Sequence, residues 1–107
     1  EVAEQHGGSA EVEIKEMYPG FQLNNGDPVV QIAQQTATQL GFSTKLLKSG
    51  GGSDANIFNS HGIPTANLAV GYEYIHTTNE RIHIDHLINL TKFVIGIIQN
   101  VANNGKI

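Results

Sequence analysis

A chain of 107 residues is long enough for one small domain with its own core. Its formal net charge of −4, with only 6 Lys and Arg, argues against a nucleic-acid surface, which needs clustered cations to neutralise phosphates. No apolar run approaches the roughly 18 residues of a membrane span, and with no cysteine there is neither a disulfide framework nor a thiolate zinc site.

The lack of cysteine fits a cytoplasmic protein. The opening Glu1-Val2-Ala3-Glu4 is neither an initiator methionine nor a signal peptide with a basic start, and it reads like a cut made inside a longer protein. Ser9 to Tyr18 then alternates, with Ala10, Val12 and Ile14 on one side and Glu11, Glu13 and Lys15 on the other. Period two with one charged face predicts a half-buried antiparallel strand. Tyr18-Pro19-Gly20 ends it, and Asn24-Asn25-Gly26 is turn chemistry that marks a boundary or hinge.

Asp27-Pro28 predicts a helix start, with Asp27 as cap and Pro28 at the first position, where its missing N–H has no partner to lose. Val29, Val30, Ala33, Ala37 and Leu40 form its apolar stripe, and Gly41 stops it. Phe42 to Leu47 reads as a short strand. Gly50-Gly51-Gly52 is a turn. Asp54 to Ser60 reads as a short helix capped by Ser53 or Asp54 and closed before Gly62. Thr65 to Val70 is mostly apolar, as in a strand covered on both faces, with Pro64 tolerable at its start. Gly71 to Arg81 reads as a polar loop.

The last element is the clearest. Ile84, Leu87, Ile88, Thr91, Val94, Ile95, Ile98 and Val101 follow helical spacing, and Leu90, Phe93 and Ile97 widen the stripe. Asp85 suits the start and Asn104-Gly105 the stop. So wide a stripe needs more partner surface than the other elements supply. After residue 27 the order is helix, strand, helix, strand, helix, which implies an α/β unit with a parallel, right-handed crossover sheet. Two strands cannot make such a sheet, so the expectation is part of a larger α/β domain whose other strands lie outside this sequence.

Two features carry candidate chemistry. Gly50-Gly51-Gly52-Ser53-Asp54 lacks the Gly-Lys-Ser/Thr of a phosphate loop, and Ala55 stands where a dinucleotide fingerprint has its third glycine. It is either a tight turn with a helix cap or a backbone cradle for a carboxylate, with Ser53 as hydroxyl donor. His76 is either a polar surface residue or a metal ligand oriented by Thr77 and Thr78. A self-contained zinc site from His76, Glu80, His83, Asp85 and His86 is a third possibility. It is disfavoured, because the loop carries the first two residues and the helix start the last two. His61 is expected near the carbonyls ending its own helix.

In order, Ser49-Gly50-Gly51-Gly52-Ser53-Asp54-Ala55-Asn56, Gly62-Ile63-Pro64-Thr65, Asn67-Leu68-Ala69-Val70-Gly71 and His76-Thr77-Thr78-Asn79-Glu80 resemble the C-terminal part of the M20 zinc peptidases, with the peptidase T-like tripeptidases nearest in pattern. The resemblance covers roughly residues 27 to 101. It implies a mixed or parallel-sheet catalytic domain with two zinc ions and an inserted α+β lid, often used for homodimerisation. By it, residues 1–23 are the final strand of the lid and 24–107 the closing part of the catalytic domain. It makes His76 the last metal ligand in chain order, and places Gly51, Gly52, Ser53 and Asn67 at the pocket for a short peptide. The family's own His-x-Asp ligand pair, bridging Asp and Glu-Glu pair belong earlier in the chain, and no Glu-Glu occurs here. His83-Ile84-Asp85 has the right form in the wrong place. The expected function is therefore part of a zinc aminopeptidase, inactive alone and needing the remainder of its domain. The alternatives are an amidohydrolase acting on N-acyl amino acids and a non-catalytic anion-binding α/β module.

Overall fold

The computed structural model describes residues 1–104. It contains helices α1 (Val2–Gln5), α2 (Pro28–Gln39) and α3 (Asp54–Ser60), strands β1 (Tyr72–Glu73) and β2 (Arg81–Ile82), and helix α4 (Ile84–Asn104). The three longer helices stand where the apolar periodicity puts them. Pro28 opens α2, and Gly41 follows its end in the left-handed region at φ +73°. The expected stop of α4 rests partly on Gly105, which lies outside the described residues.

The core is the crossing of α2 and α4. Thr36 is 1% exposed, and Val30 and Ala37 are buried beside it on α2. Leu90, Phe93, Gly96, Ile97, Asn100 and Val101 of α4 are half-buried, a helical face turned toward that contact. Gly96 permits the approach: a Cβ there would lie 2.8 Å from Thr36 Cγ2. The buried hydroxyl is fully used, since Thr36 Oγ1 donates to Ile32 O at 2.8 Å and accepts from Asn100 Nδ2 at 2.8 Å. Asn100 Nδ2 also donates to Gln39 Oε1 at 2.8 Å. Phe42 meets Phe93 edge-on, with ring centres 6.1 Å apart.

Away from this crossing many of the large apolar side chains are open. Ile84 and Ile98 on α4 are 70% and 62% exposed. The radius of gyration is 19.5 Å, against about 13 Å for a compact domain of this size. The wide stripe on α4 therefore has one half on α2 and the other uncovered.

Several expected strands are not formed. Ser9 to Tyr18 is irregular, with Val12 and Ile14 exposed, so it is not a half-buried strand. Phe42 to Leu47 and Thr65 to Val70 are also irregular, and no parallel pair exists among the described residues. The reason is common to all three: a strand exists by its ladder, and among the described residues these runs have no neighbour to pair with. The sheet that does form lies inside the expected loop, an antiparallel hairpin pairing Tyr72 with Ile82 and Glu73 with Arg81. Asp27 departs from its expected role too. Its carboxylate takes the Asn24 N–H at 2.7 Å and makes no cap bond to α2, closing the preceding turn instead.

The crossing makes a direct prediction. Gly96→Leu overpacks the Thr36 contact at about 1–3 kcal/mol, against a gain of up to about 1 kcal/mol for removing a helix-interior glycine. Urea unfolding followed by helix signal should show a lowered midpoint. An unchanged or raised midpoint would mean that the helices do not cross at Gly96.

Candidate functional site

The glycine turn leads into α3 through a reciprocal cap. Ser53 Oγ accepts the Ala55 N–H at 3.2 Å, while Asn56 Oδ1 accepts the Ser53 N–H at 3.0 Å. Asparagine here fills the place that Glu or Gln usually takes in such a box. Asn56 Nδ2 also reaches Pro19 O at 2.9 Å, tying the N-terminal segment to the turn. The three glycines are not equivalent. Gly50 faces open space, whereas a Cβ on Gly52 would run into the Tyr18 ring. Gly51 N–H is taken by Ser49 Oγ at 3.2 Å.

Asn67 is brought to this turn. Its Nδ2 donates to Ser53 Oγ at 2.9 Å, across fourteen positions of sequence. Asn59 holds the intervening chain, donating to Thr65 O at 2.8 Å and accepting from Thr65 N at 3.2 Å. The Ser53 hydroxyl thus accepts twice, and its proton remains to donate. Ser53 is exposed, so that proton can serve a ligand. The Gly51, Ser53 and Ala55 N–H groups are committed to side chains within the turn, so half of the backbone donors between Gly50 and Ala55 are closed to an anion.

The second cluster is the hairpin carrying His76. Its base rests on α4: Gly71 sits at φ +78°, and a Cβ there would lie 2.6 Å from His86 Nδ1. His86 Nδ1 lies 3.1 Å from Gly71 O, a carbonyl that can only accept. The strands are clamped by Arg81 Nε donating to Glu73 Oε2 at 2.6 Å, and the Arg81 guanidinium lies 5.2 Å from the Tyr74 ring centre. At the tip, Tyr74 and His76 take φ values of +54° and +63°. A non-glycine residue there costs on the order of 1–2 kcal/mol.

His76 is exposed, and its hydrogen bond runs through the backbone: its N–H donates to Glu80 Oε2 at 2.9 Å. The imidazole stays uncommitted among the described residues, as a side chain free to bind a metal must. Thr77 does not orient that ring. Its Oγ1 donates to Tyr74 O at 2.7 Å and accepts from Asn79 N at 3.2 Å. The sequence reading missed Glu80 as the brace, although a carboxylate four residues beyond a loop histidine was visible.

No three His, Asp or Glu side chains converge as a metal group among the described residues. Among the described residues the self-contained site from His76, Glu80, His83, Asp85 and His86 is therefore not assembled. His61 stands as expected, its Nδ1 2.9 Å from Ile57 O at the end of α3. The hydrogen bonds of the glycine turn and those of the hairpin share no residue.

The pattern of Peptidase family M20/M25/M40 matches residues 3–100. The YqjE protein of Bacillus subtilis is 53% identical over 102 residues, covering 95% of this chain and 28% of that protein. The crystal structure of aminopeptidase PepT from Bacillus cereus superposes with a TM-score of 0.81 at 52% identity, covering 94% of this chain and 27% of the other. A tripeptidase from Staphylococcus aureus gives 0.77 at 52%, covering 80% and 23%. The chain thus spans about a quarter of the length of these relatives.

The hairpin clamp has a pH signature. The hydrogen bond from Arg81 and then its charge hold the Glu73 carboxyl below the usual carboxylate range, with His83 and His86 adding in the same sense. A depressed folded value means a contribution present above the ordinary carboxylate range and lost as pH falls through the folded value. Arg81→Gln should return the Glu73 midpoint toward the ordinary range, read by carboxyl NMR titration. A midpoint unmoved by that change would show that the ion pair does not form.

Proposed function

This chain belongs to peptidase family M20/M25/M40, and on that footing we propose that it forms one wall of a zinc-dependent aminopeptidase acting on short peptides. In this reading residues 24–107 close the catalytic domain and residues 1–23 end the lid. The enzyme is cytoplasmic, binds two zinc ions, and uses its lid for homodimerisation. The names of the matched structures, an aminopeptidase and a tripeptidase, support the substrate class. No helix among the described residues is long and apolar enough to cross a membrane.

The observation that carries the reading is His76. An exposed imidazole without a hydrogen-bond partner among the described residues, at a hairpin tip where Tyr74 and His76 stand in the left-handed region, fits a metal ligand better than a packing residue. Bound zinc supplies a Lewis acid and an acidified water. The remaining ligands and the general base belong to the rest of the catalytic domain, which also covers the open half of α4. This chain's own part is binding. Ser53, with its oxygen already accepting from Ala55 and Asn67, turns its proton toward the peptide, and Gly52 keeps the turn free of a side chain. Asn67 fixes that hydroxyl and links the pocket wall to the run ending at Gly71.

Two measurements test this. In the full-length enzyme His76→Ala should lower zinc content and tripeptide turnover by at least about 10–100-fold, since even the loss of a ligand's supporting partner costs that much. The 107-residue chain with added zinc should not turn over tripeptides. Full metal content in His76→Ala, or chelator-sensitive turnover by the chain alone, would contradict the assignment.

A further inference from the structure

We propose that Glu80 is the positioning residue for His76, acting through the backbone and not through the imidazole. The inference rests on His76 being a metal ligand.

A ligand histidine must present its ring from a backbone that does not wander, and His76 begins at a disadvantage. Its φ of +63° is a conformation that an unbraced non-glycine residue leaves readily. Something must select it. The neighbouring threonine is engaged elsewhere: Thr77 N and Oγ1 both go to Tyr74 O, at 3.2 and 2.7 Å. That bond closes the turn on one side of His76. On the other side the Glu80 carboxylate accepts the His76 N–H at 2.9 Å. The Glu80 N–H donates to Thr77 O at 3.2 Å, so the brace is itself fixed within the turn.

The carboxylate is placed for this task by the hairpin. Glu80 immediately precedes β2, whose Arg81 is bonded to Glu73 on β1. Arg81 therefore faces Glu73 and leaves Glu80 to the tip. A charged acceptor makes a stronger bond to an amide than a neutral one. Because Glu80 touches the main chain, it leaves both ring nitrogens of His76 available.

The test separates this role from the function it serves. First, amide hydrogen exchange at His76 is measured in the metal-free full-length enzyme and in its Glu80→Ala and Glu80→Gln variants. Loss of one hydrogen bond should speed His76 exchange about five- to tenfold in Glu80→Ala, with most of the protection kept in Glu80→Gln, whose amide oxygen still accepts. Second, zinc affinity is measured by competition with a chelator. Glu80→Ala should weaken it about 10–100-fold, and Glu80→Gln should recover most of the loss. Unchanged His76 exchange in Glu80→Ala would overturn the proposal, as would equal zinc loss in the Ala and Gln variants. If His76→Ala leaves zinc affinity intact, it is the ligand assignment that fails, and the exchange experiment still decides whether Glu80 holds the backbone.

Discussion

The crossing of α2 and α4 at Thr36 and Gly96 is the contact on which the rest of the fold depends. It is narrow and partly polar. Thr36, the most buried residue of the crossing, spends its hydroxyl on Ile32 and Asn100, and the close approach exists because Gly96 has no side chain. Only five residues are buried in the described structure, and three of them lie on α2. With so little core, the two candidate site segments are shaped mainly by their own local hydrogen bonds. A shape held this way is specific where donors and acceptors match and loose where apolar surface waits for a partner.

The glycine turn and the hairpin show what local chemistry achieves. Ser53, Asn56, Asn59 and Asn67 use short polar side chains to satisfy one another and the backbone, which fixes where Ser53 points. In the hairpin Gly71 lets His86 come close, the Arg81–Glu73 pair locks the neck, and Glu80 holds the tip. Each brace is separate, and among the described residues none of them takes a hydrogen bond from the His76 ring. The site is thereby divided: one cluster has a hydroxyl proton to offer, and the other a free ring nitrogen.

The helices were legible because their signals are local. Pro28, Gly41, Ser53, Gly62 and the periodic stripe of α4 act within a turn or two, and each appears in the structure where the sequence places it. The strands were not, because pairing is non-local. The alternation from Ala10 to Lys15 shows a face suited to burial, but no strand among the described residues pairs with it. The hairpin escaped notice for the opposite reason: strands of two residues carry no period, and Tyr72-Glu73 and Arg81-Ile82 look like loop. Side-chain choices were misjudged where two partners competed. Asp27 prefers the Asn24 N–H to the start of α2, and Thr77 prefers Tyr74 O to the His76 ring. The hydrogen bond between Ser53 and Asn67 followed from no spacing rule: family resemblance put both residues at one pocket, and only the structure shows the 2.9 Å contact.

The central claim is that a metal is held through the ring of His76. Anomalous diffraction at the zinc edge from crystals of the full-length enzyme tests it without recourse to activity. The account predicts a zinc peak about 2.0–2.1 Å from a ring nitrogen of His76, with its other ligands drawn from outside this chain. A zinc peak bound by His83 or His86, with the His76 ring in solvent, would contradict it.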